Sequence, residues 1–287
     1  MLAGSGNIIK HSKFISRLRE FARKRSWLRM PSEFSLVKWY MDCVTELGDA
    51  VILYCADLHW RGAHLAYSSV LSAIGGAIER HTSMAHHRLS LRDGQILVEL
   101  PRLELSGRWK ADAAPVTHTV YENASGAVLW NCLQPRSQVN LRAGEREFTG
   151  LGYAECLTLT LPPWQLPMRQ LRWGRFVSPD DTLAWVDWQG EYSTSFSVHN
   201  GRTCETLSVS DSEIAIPGVT LRMEESSSLR AGRLGSTILP GAPALGKLLP
   251  HSLFEIEEEK WRSRGILNTA EHSSHGWVIH EVVHWKL

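Results

Sequence analysis

The chain has 287 residues, with 43% hydrophobic and 21% charged residues, which is typical of a globular protein with a substantial core. Its formal net charge of +1 argues against nucleic acid as a partner, because no strong basic field is present. The five cysteines are widely spaced without a CxxC pair, so neither a disulfide framework nor a structural zinc site is expected. The 12 Trp outnumber the 7 Phe and the 6 Tyr, which favours aromatic-lined interiors or pockets.

The N-terminal segment, residues 1–32, is basic, and residues 7–28 have the pattern of an amphipathic helix. Phe14, Leu18 and Phe21 recur at helical spacing among many Lys and Arg residues. Such a helix can lie on an anionic membrane surface through residues 7–29, or pack its apolar stripe on the body of the protein. No secretory signal and no run of about 20 apolar residues occurs, so we expect a cytoplasmic protein, with any membrane contact peripheral and at the inner face.

From residue 33 onward, short apolar runs alternate with turn sequences such as Asp93-Gly94, which is a strong hairpin signal. Runs of this kind, spaced about 8–12 residues apart, indicate an all-β sandwich or barrel. The length of the strand-rich region favours two antiparallel β-barrels in tandem, over residues 33–165 and 166–287. A proline-rich break near Pro162–Gln170 separates them.

The stretch from Phe148 to Trp188 combines tryptophans with charged groups inside apolar strand patterns. On one strand Tyr153 and Glu155 share a face, and on the next strand Trp173 and Arg175 share a face. A carboxylate among tryptophans either pairs with a cation or lines a pocket, because an unpaired buried charge is costly. If the two faces meet, Arg175 would keep Glu155 ionised, whereas an apolar wall would raise its pKa and keep it protonated.

A protonated Glu155 would suit a hydration or isomerisation, since protonating a C=C bond requires an acid that holds its proton near neutral pH. We therefore predict Glu155, Tyr153 and Arg175 as catalytic residues. The rings of Trp130 and Trp173 would contact the substrate and stabilise a carbocation. The alternative is a buried Tyr–Glu–Arg network that only holds the barrel together.

Three more residues are predicted to contact the substrate: Trp185, Asp187 and His199. Asp187 lies between two tryptophans, and His199 precedes an Asn-Gly turn. Both positions also fit a solvated residue near a turn, so this alternative stays open.

The segment His280–His284 matches the HExxH pattern of zinc proteases, which works on a helix because i and i+4 share a face there. Its surroundings, WVIHEVVHW, are rich in β-branched and aromatic residues and predict a strand instead. No glycine-rich nucleotide fingerprint and no GxSxG elbow occurs. We therefore expect no metal and no cofactor.

Several motifs resemble one family. They are GxGYxE at 150–155, PWxLP at 163–167, LRWGRF at 171–176, WNCLQPRSQVNL at 130–141 and GWVIHEVVHW at 276–285. This set is similar to the hydroxyneurosporene synthase (carotenoid 1,2-hydratase)-like superfamily. The resemblance implies an all-β fold of two lipocalin-like (calycin-type) antiparallel barrels, here preceded by the N-terminal amphipathic helix. Members of the superfamily hydrate polyene ends, cyclise prenylated quinol precursors or guide pericyclic ring closures, and many carry Asp or His at the position of Glu155.

Together these observations predict a cofactor-independent enzyme for a small hydrophobic molecule of isoprenoid, carotenoid or polyketide-like character. The reaction would be an acid-assisted hydration, isomerisation or cyclisation in a Trp-lined pocket. One alternative is a lipocalin-like carrier of a hydrophobic ligand without chemistry. Another is a scaffold whose basic N-terminal helix does the work. The sequence does not predict an oligomeric state.

Overall fold

The computed structural model describes residues 34–238 and 250–285, and within these ranges it consists almost entirely of antiparallel strands. The amphipathic helix expected over residues 7–28, and with it the membrane contact through residues 7–29, lies outside the described residues. No helix in the described part of the chain is long and apolar enough to cross a membrane.

The first sheet contains ten strands from the described residues. Their bounds are β1 (Phe34–Val44), β2 (Ala50–Trp60), β3 (Ala63–Ile74), β4 (Ala77–Ser83), β5 (Arg88–Arg92), β6 (Gln95–Leu100), β7 (Leu105–Ala111), β8 (Val116–Asn123), β9 (Gly126–Ala143) and β10 (Arg146–Leu159). The order across the sheet is β4-β3-β2-β1-β10-β9-β7-β6-β5, and β8 adds to β9. The pairing of β1 with β10 brings the first and last strands of the domain together.

The second sheet repeats this plan with nine strands from the part of the chain that the structure describes. Their bounds are β11 (Met168–Val177), β12 (Thr182–Gly190), β13 (Thr194–His199), β14 (Arg202–Cys204), β15 (Ser208–Val209), β16 (Glu213–Ile216), β17 (Val219–Arg233), β18 (Glu257–Asn268) and β19 (Ser273–His284). The order is β14-β13-β12-β11-β19-β18-β17-β16-β15, so first and last strands again pair. Between β17 and β18, the described residues form two short helices, α1 (Leu234–Ile238) and α2 (His251–Phe254).

Turn chemistry agrees with the sequence at both predicted tight hairpins. Asp93 and Gly94 join β5 to β6 with φ values of 49° and 72°, and Asn200 and Gly201 join β13 to β14 with φ values of 48° and 76°. Two consecutive left-handed residues match the right-handed twist of the flanking strands. The all-β prediction is therefore confirmed, and so are these two turns.

Three hydrophobic cores result from the alternation of side chains along the strands. On β1, Met41 and Cys43 point into the first barrel, whereas Tyr40 and Val44 point outward. The interior of the second barrel is a separate core around Phe176. The third and largest core lies between the two sheets, where the outward faces of β1, β2, β9 and β10 meet those of β11, β12, β13 and β19. This inter-barrel core contains the candidate site.

Candidate functional site

The candidate site is built on strand pairs whose outward faces meet between the barrels. In the β1–β10 ladder, Tyr40 lies opposite Glu155, and Asp42 lies opposite Tyr153. Because side chains alternate, all four point to the same side, toward β11 of the second barrel. Trp173 comes from β11 and packs edge-on against the rings of Tyr40 and Tyr153, with centroids 4.8 and 5.9 Å apart.

Glu155 is 9% exposed, and three donors converge on one of its oxygens. Its Oε2 accepts hydrogen bonds from Trp130 Nε1 at 2.5 Å, Tyr153 Oη at 2.8 Å and Trp173 Nε1 at 3.1 Å. The other oxygen, Oε1, accepts none from the described residues. The structure thus brings four predicted site residues, Glu155, Tyr153, Trp130 and Trp173, into one contact group.

Burial raises the pKa of Glu155 above its ordinary value of 4.5. The hydrogen bonds from Tyr153 and Trp130 and the charge of Lys38 act in the opposite direction, but they do not cancel the effect of burial. Burial also raises the pKa of Tyr153 well above 10, so its hydroxyl keeps the proton that it donates to Glu155. The net shift favours the protonated form relative to a free carboxyl group, and Oε1 is the oxygen without a donor among the described residues.

Arg175 pairs with Asp42 rather than with Glu155, so the structure does not contain the Glu155–Arg175 ion pair that was one of the two alternatives left open by the sequence. Its Nε and Nη2 donate to the two carboxylate oxygens of Asp42 at 2.9 and 2.8 Å, and both residues are fully buried. Burial alone would lower the pKa of Arg175, but the charge of Asp42 outweighs it and the net shift is upward. The Tyr40 hydroxyl also donates to Asp42, at 2.9 Å. Sequence reasoning missed Asp42, although its place on the Tyr40 face of an apolar strand was a usable signal.

A second buried ionic group, also missed from the sequence, lies on the other side of Trp173. Lys260 on β18 forms an ion pair with Glu281 and lies 4.0 Å from Glu258. Its Nζ is 5.3 Å from the Trp173 ring centroid and 5.4 Å from that of Tyr40. Burial would raise the pKa of Glu281, but Lys260 lowers it to about 2, so this pair is ionised. No alternating pattern in the sequence pointed to this pair, because β18 begins with four charged residues in succession, from Glu257 to Lys260.

Three predicted substrate contacts lie away from Glu155. Trp185 is buried inside the second barrel, next to Gly174. Asp187 is half-buried, accepts a hydrogen bond from Gln189 at 2.8 Å and lines an open surface depression. His199 is next to the Asn200 turn, 3.6 Å from Asp181. The structure therefore does not bring Trp185, Asp187 and His199 together with the carboxyl group.

The HExxH-like segment is a strand, as the sequence indicates, and its side chains point in different directions. His280 points into the second barrel, where its Nε2 is 3.0 Å from Ser263 Oγ and its ring stacks on Trp261. Glu281 points the other way, toward Lys260, and His284 is exposed. Among the described residues, no group of three or more His, Cys, Asp or Glu is arranged to hold a metal ion.

Two cavities lie at opposite ends of the inter-barrel face. The outward residues of β1 run Phe34, Leu36, Lys38, Tyr40, Asp42, Val44, so Glu155, which lies opposite Tyr40, is about 13 Å along the strand from Leu36 and about 13 Å from Val44. Near Leu36 is a pocket of about 150 Å³, here called the apolar pocket. It is lined by Phe34, Leu36, Ala56, Leu58, Leu65, Tyr67, Met84, Pro163, Trp164 and Leu253.

At the Val44 end is a larger groove of about 1000 Å³ between the barrels, with Arg175 and Trp277 in its wall. Several acidic side chains stand on its rim: Glu46, Asp49, Glu147 and Glu224. The Asp42–Arg175 ion pair lies between this groove and Glu155, since Asp42 follows Tyr40 on the same face of β1.

No protein-family model matches the sequence, and no curated protein matches it. Solved structures do match. Kievitone hydratase from Nectria haematococca is 9% identical with a TM-score of 0.54, and the match covers 87% of this chain and 88% of that one. CghA with Sch210972 is 9% identical with a TM-score of 0.52, covering 88% and 89%. A protein assigned as an AttH from Nitrosomonas europaea is 10% identical with a TM-score of 0.54, covering 87% and 92%. These matches confirm the predicted tandem lipocalin-like fold across nearly the whole chain.

Proposed function

We propose that this chain is a cofactor-independent enzyme that protonates a C=C bond of an apolar substrate, with Glu155 as the general acid. The observation that carries the proposal is the asymmetry of the Glu155 carboxyl group. Three donors engage Oε2, and no described residue donates to Oε1 or forms an ion pair with the carboxyl group. Since burial favours the neutral acid, the transferable proton resides on Oε1.

In the proposed reaction, Glu155 transfers the Oε1 proton to one carbon of the double bond, and the π electrons form the new C–H bond. The positive charge left on the other carbon would lie near the rings of Trp130 and Trp173, whose faces favour cations. In a hydration, water adds to this carbon and its surplus proton returns to the Glu155 carboxylate. In an isomerisation, the cation loses a different substrate proton to the Glu155 carboxylate. In a cyclisation, a second double bond attacks the cation, and the new cation then loses a proton to the same carboxylate.

Tyr153, Trp130 and Trp173 would then do two things. Their hydrogen bonds stabilise the Glu155 carboxylate that forms after proton transfer, and they fix the orientation of the acid. Arg175 does not contact Glu155. It binds Asp42 and thereby holds β1 against β11 next to Tyr153. We assign Arg175 as a positioning residue. Kievitone hydratase, by its name a hydratase, has the same fold, which is compatible with this chemistry.

The first test identifies the molecule. Protein purified from its own host is examined by native mass spectrometry with organic extraction, and any co-purifying polyene or prenylated species is then offered as substrate in D₂O. We expect one solvent deuteron on a product carbon. Glu155→Gln should lower turnover roughly a hundredfold to ten-thousandfold, the usual contribution of a general acid. Glu147→Gln, an exposed acid on the same strand, should leave turnover unchanged. Full activity of Glu155→Gln would contradict the proposal.

A second candidate is a carrier of a hydrophobic ligand, and the apolar pocket favours it, because apolar residues form its whole lining. A carrier would retain the extracted molecule unchanged. Its affinity would depend on pocket residues such as Leu58 and not on the protonation state of Glu155. Recovery of a chemically altered molecule after incubation decides between the two.

A further inference from the structure

We propose that Lys38 and the hydroxyl of Tyr54 bind an anionic oxygen head group of the substrate, a carboxylate or an enolate, while its apolar body occupies the apolar pocket. This inference rests on the proposed function, since it places the substrate beside Glu155, and it names the substrate class. The ligand is thus an apolar chain or ring with one acidic oxygen function, not a plain hydrocarbon.

Lys38 has the right position for this role. On the outward face of β1 it follows Leu36, which lines the apolar pocket, and precedes Tyr40, which lies opposite Glu155. The side chain is half-buried and forms no ion pair with any described residue, although its charge lowers the pKa of both Glu155 and Glu281. A cation on the border of an apolar pocket, with no ion-pair partner among the described residues, complements an anionic ligand.

Tyr54 supplies the second, independent observation. It is 6% exposed, and its hydroxyl has no hydrogen-bond partner among the described residues. Leaving a buried hydroxyl unpaired costs as much as a lost hydrogen bond, so such groups call for an explanation. The ring lies 5.3 Å from Lys38 Nζ and 5.8 Å from Lys260 Nζ. Arg230 Cζ is 5.5 Å from the same ring centroid. These three cations are donors only and no described carboxylate accepts from the hydroxyl, so the phenolic proton is available to an oxyanion.

The protonation state of Tyr54 fits a donor. Burial raises its pKa to about 12, although Lys260 and Arg230 act to lower it. The hydroxyl therefore keeps its proton over the whole physiological range. An ammonium and a phenol on adjacent strands β1 and β2 can then share one carboxylate or enolate.

The described residues between the apolar pocket and Glu155 are half-buried and contain no buried ion pair. Lys38 lies opposite Leu157 in the β1–β10 ladder, and both are half-buried. On the other side, the buried Asp42–Arg175 ion pair separates Glu155 from the larger groove. The pocket itself, at about 150 Å³, matches the size of a cavity that holds a benzene ring. It therefore suits the apolar end of a ligand whose head lies at Lys38.

The test uses a matched pair of probes, geranic acid and its methyl ester, titrated by calorimetry at neutral pH. The full-length protein is compared with Lys38→Met, Tyr54→Phe and the exposed control Lys110→Met. We expect the acid to bind at least about tenfold more tightly than the ester, the value of one charge-assisted hydrogen bond. Lys38→Met should bring this ratio close to one by weakening the acid alone. Lys110→Met should leave the ratio unchanged.

Tyr54→Phe separates a loss of binding from a loss of folding. Because the hydroxyl has no partner among the described residues, removing it should leave thermal stability unchanged or raise it, while affinity for the acid falls. Ala56→Leu, which fills the apolar pocket, should weaken both probes equally. Three results would overturn the inference. They are equal affinities of the wild type for acid and ester, no binding of either probe, and a Lys38→Met effect that is the same for both probes. Glu155→Gln should bind the acid normally. If that variant also retains turnover, the proposed function is wrong, but the proposed head-group site is unaffected.

Discussion

Asp42 and Arg175 form a two-point ion pair across the inter-barrel interface, 133 residues apart in the chain and both fully buried. Asp42 also accepts from Tyr40, and Arg175 donates to the carbonyl of Trp277 at 2.6 Å, so both charges are well satisfied. The pair anchors β1 of one barrel to β11 and β19 of the other. It therefore holds the sheets that carry Glu155 and Trp173 at their observed separation.

Breaking this pair on one side should cost about 3–5 kcal/mol of unfolding free energy, because the remaining charge stays buried without a partner. Asp42→Asn and Arg175→Met test this by urea denaturation. The double variant should be more stable than the sum of the single losses predicts. The exposed pair Arg88–Glu99 provides the control, since Glu99→Gln should change stability by less than about 1 kcal/mol. Additive single and double losses would contradict the assigned pairing.

The alternation of apolar residues and the turn dipeptides were enough to predict the tandem barrels, because both are local properties of the chain. The grouping of Glu155 with Tyr153 also followed locally, from side-chain parity on one strand. The partner of Arg175 did not, because it depends on which outward faces of two barrels meet. A residue 133 positions away leaves no spacing signal.

Trp185 shows the same limit on the second barrel. It lies opposite Gly174 in the β11–β12 ladder and hence on the inner face, whereas Trp173, one residue earlier on β11, faces outward. A shift of one residue in register reverses the face of every side chain, and the sequence does not specify that register. The tryptophans of this region therefore divide between a barrel interior and the interface, although they look alike in the sequence.

Glu155 should make stability fall as pH rises. Its folded-state pKa lies above the ordinary 4.5, so its favourable contribution is complete below pH 4.5 and is lost as pH rises through the folded value. Unfolding free energies are measured by urea titration from below pH 4.5 upward. The value for wild type minus the value for Glu155→Gln should decline as pH rises and then level off. The exposed Glu147→Gln on the same strand should give a flat difference. A Glu155 difference that rises with pH would show that the carboxylate, not the acid, is favoured.

Gly174 should tolerate no side chain, because a Cβ built there overlaps the indole ring of Trp185. We expect Gly174→Ala to destabilise the second barrel by about 1–3 kcal/mol, the usual cost of overpacking. Trp185→Leu alone should also destabilise, through the cavity it leaves. Combined, the two changes should cost less than the sum of their separate effects, as measured by thermal or urea unfolding. Strict additivity would mean that the two side chains do not meet.

His280 should make the protein acid-sensitive. Burial, assisted by the charge of Lys260, lowers its pKa from 6.5 to about 4, so the folded state holds it neutral. Below pH 6.5 the unfolded chain binds a proton that the folded chain does not. Its contribution to stability is therefore complete above pH 6.5 and is lost as pH falls toward 4, by at most about 3 kcal/mol.

The difference between wild type and His280→Gln isolates this contribution from those of other titrating groups. Unfolding free energies measured by urea denaturation from pH 7.5 to 4 should show the wild-type advantage shrinking as pH falls. His284→Gln, an exposed histidine on the same strand, should give a difference with little pH dependence. A wild-type advantage that grows at low pH would mean that His280 becomes protonated inside the barrel. It would then have to be paired with an acid there, rather than with the Ser263 hydroxyl at 3.0 Å.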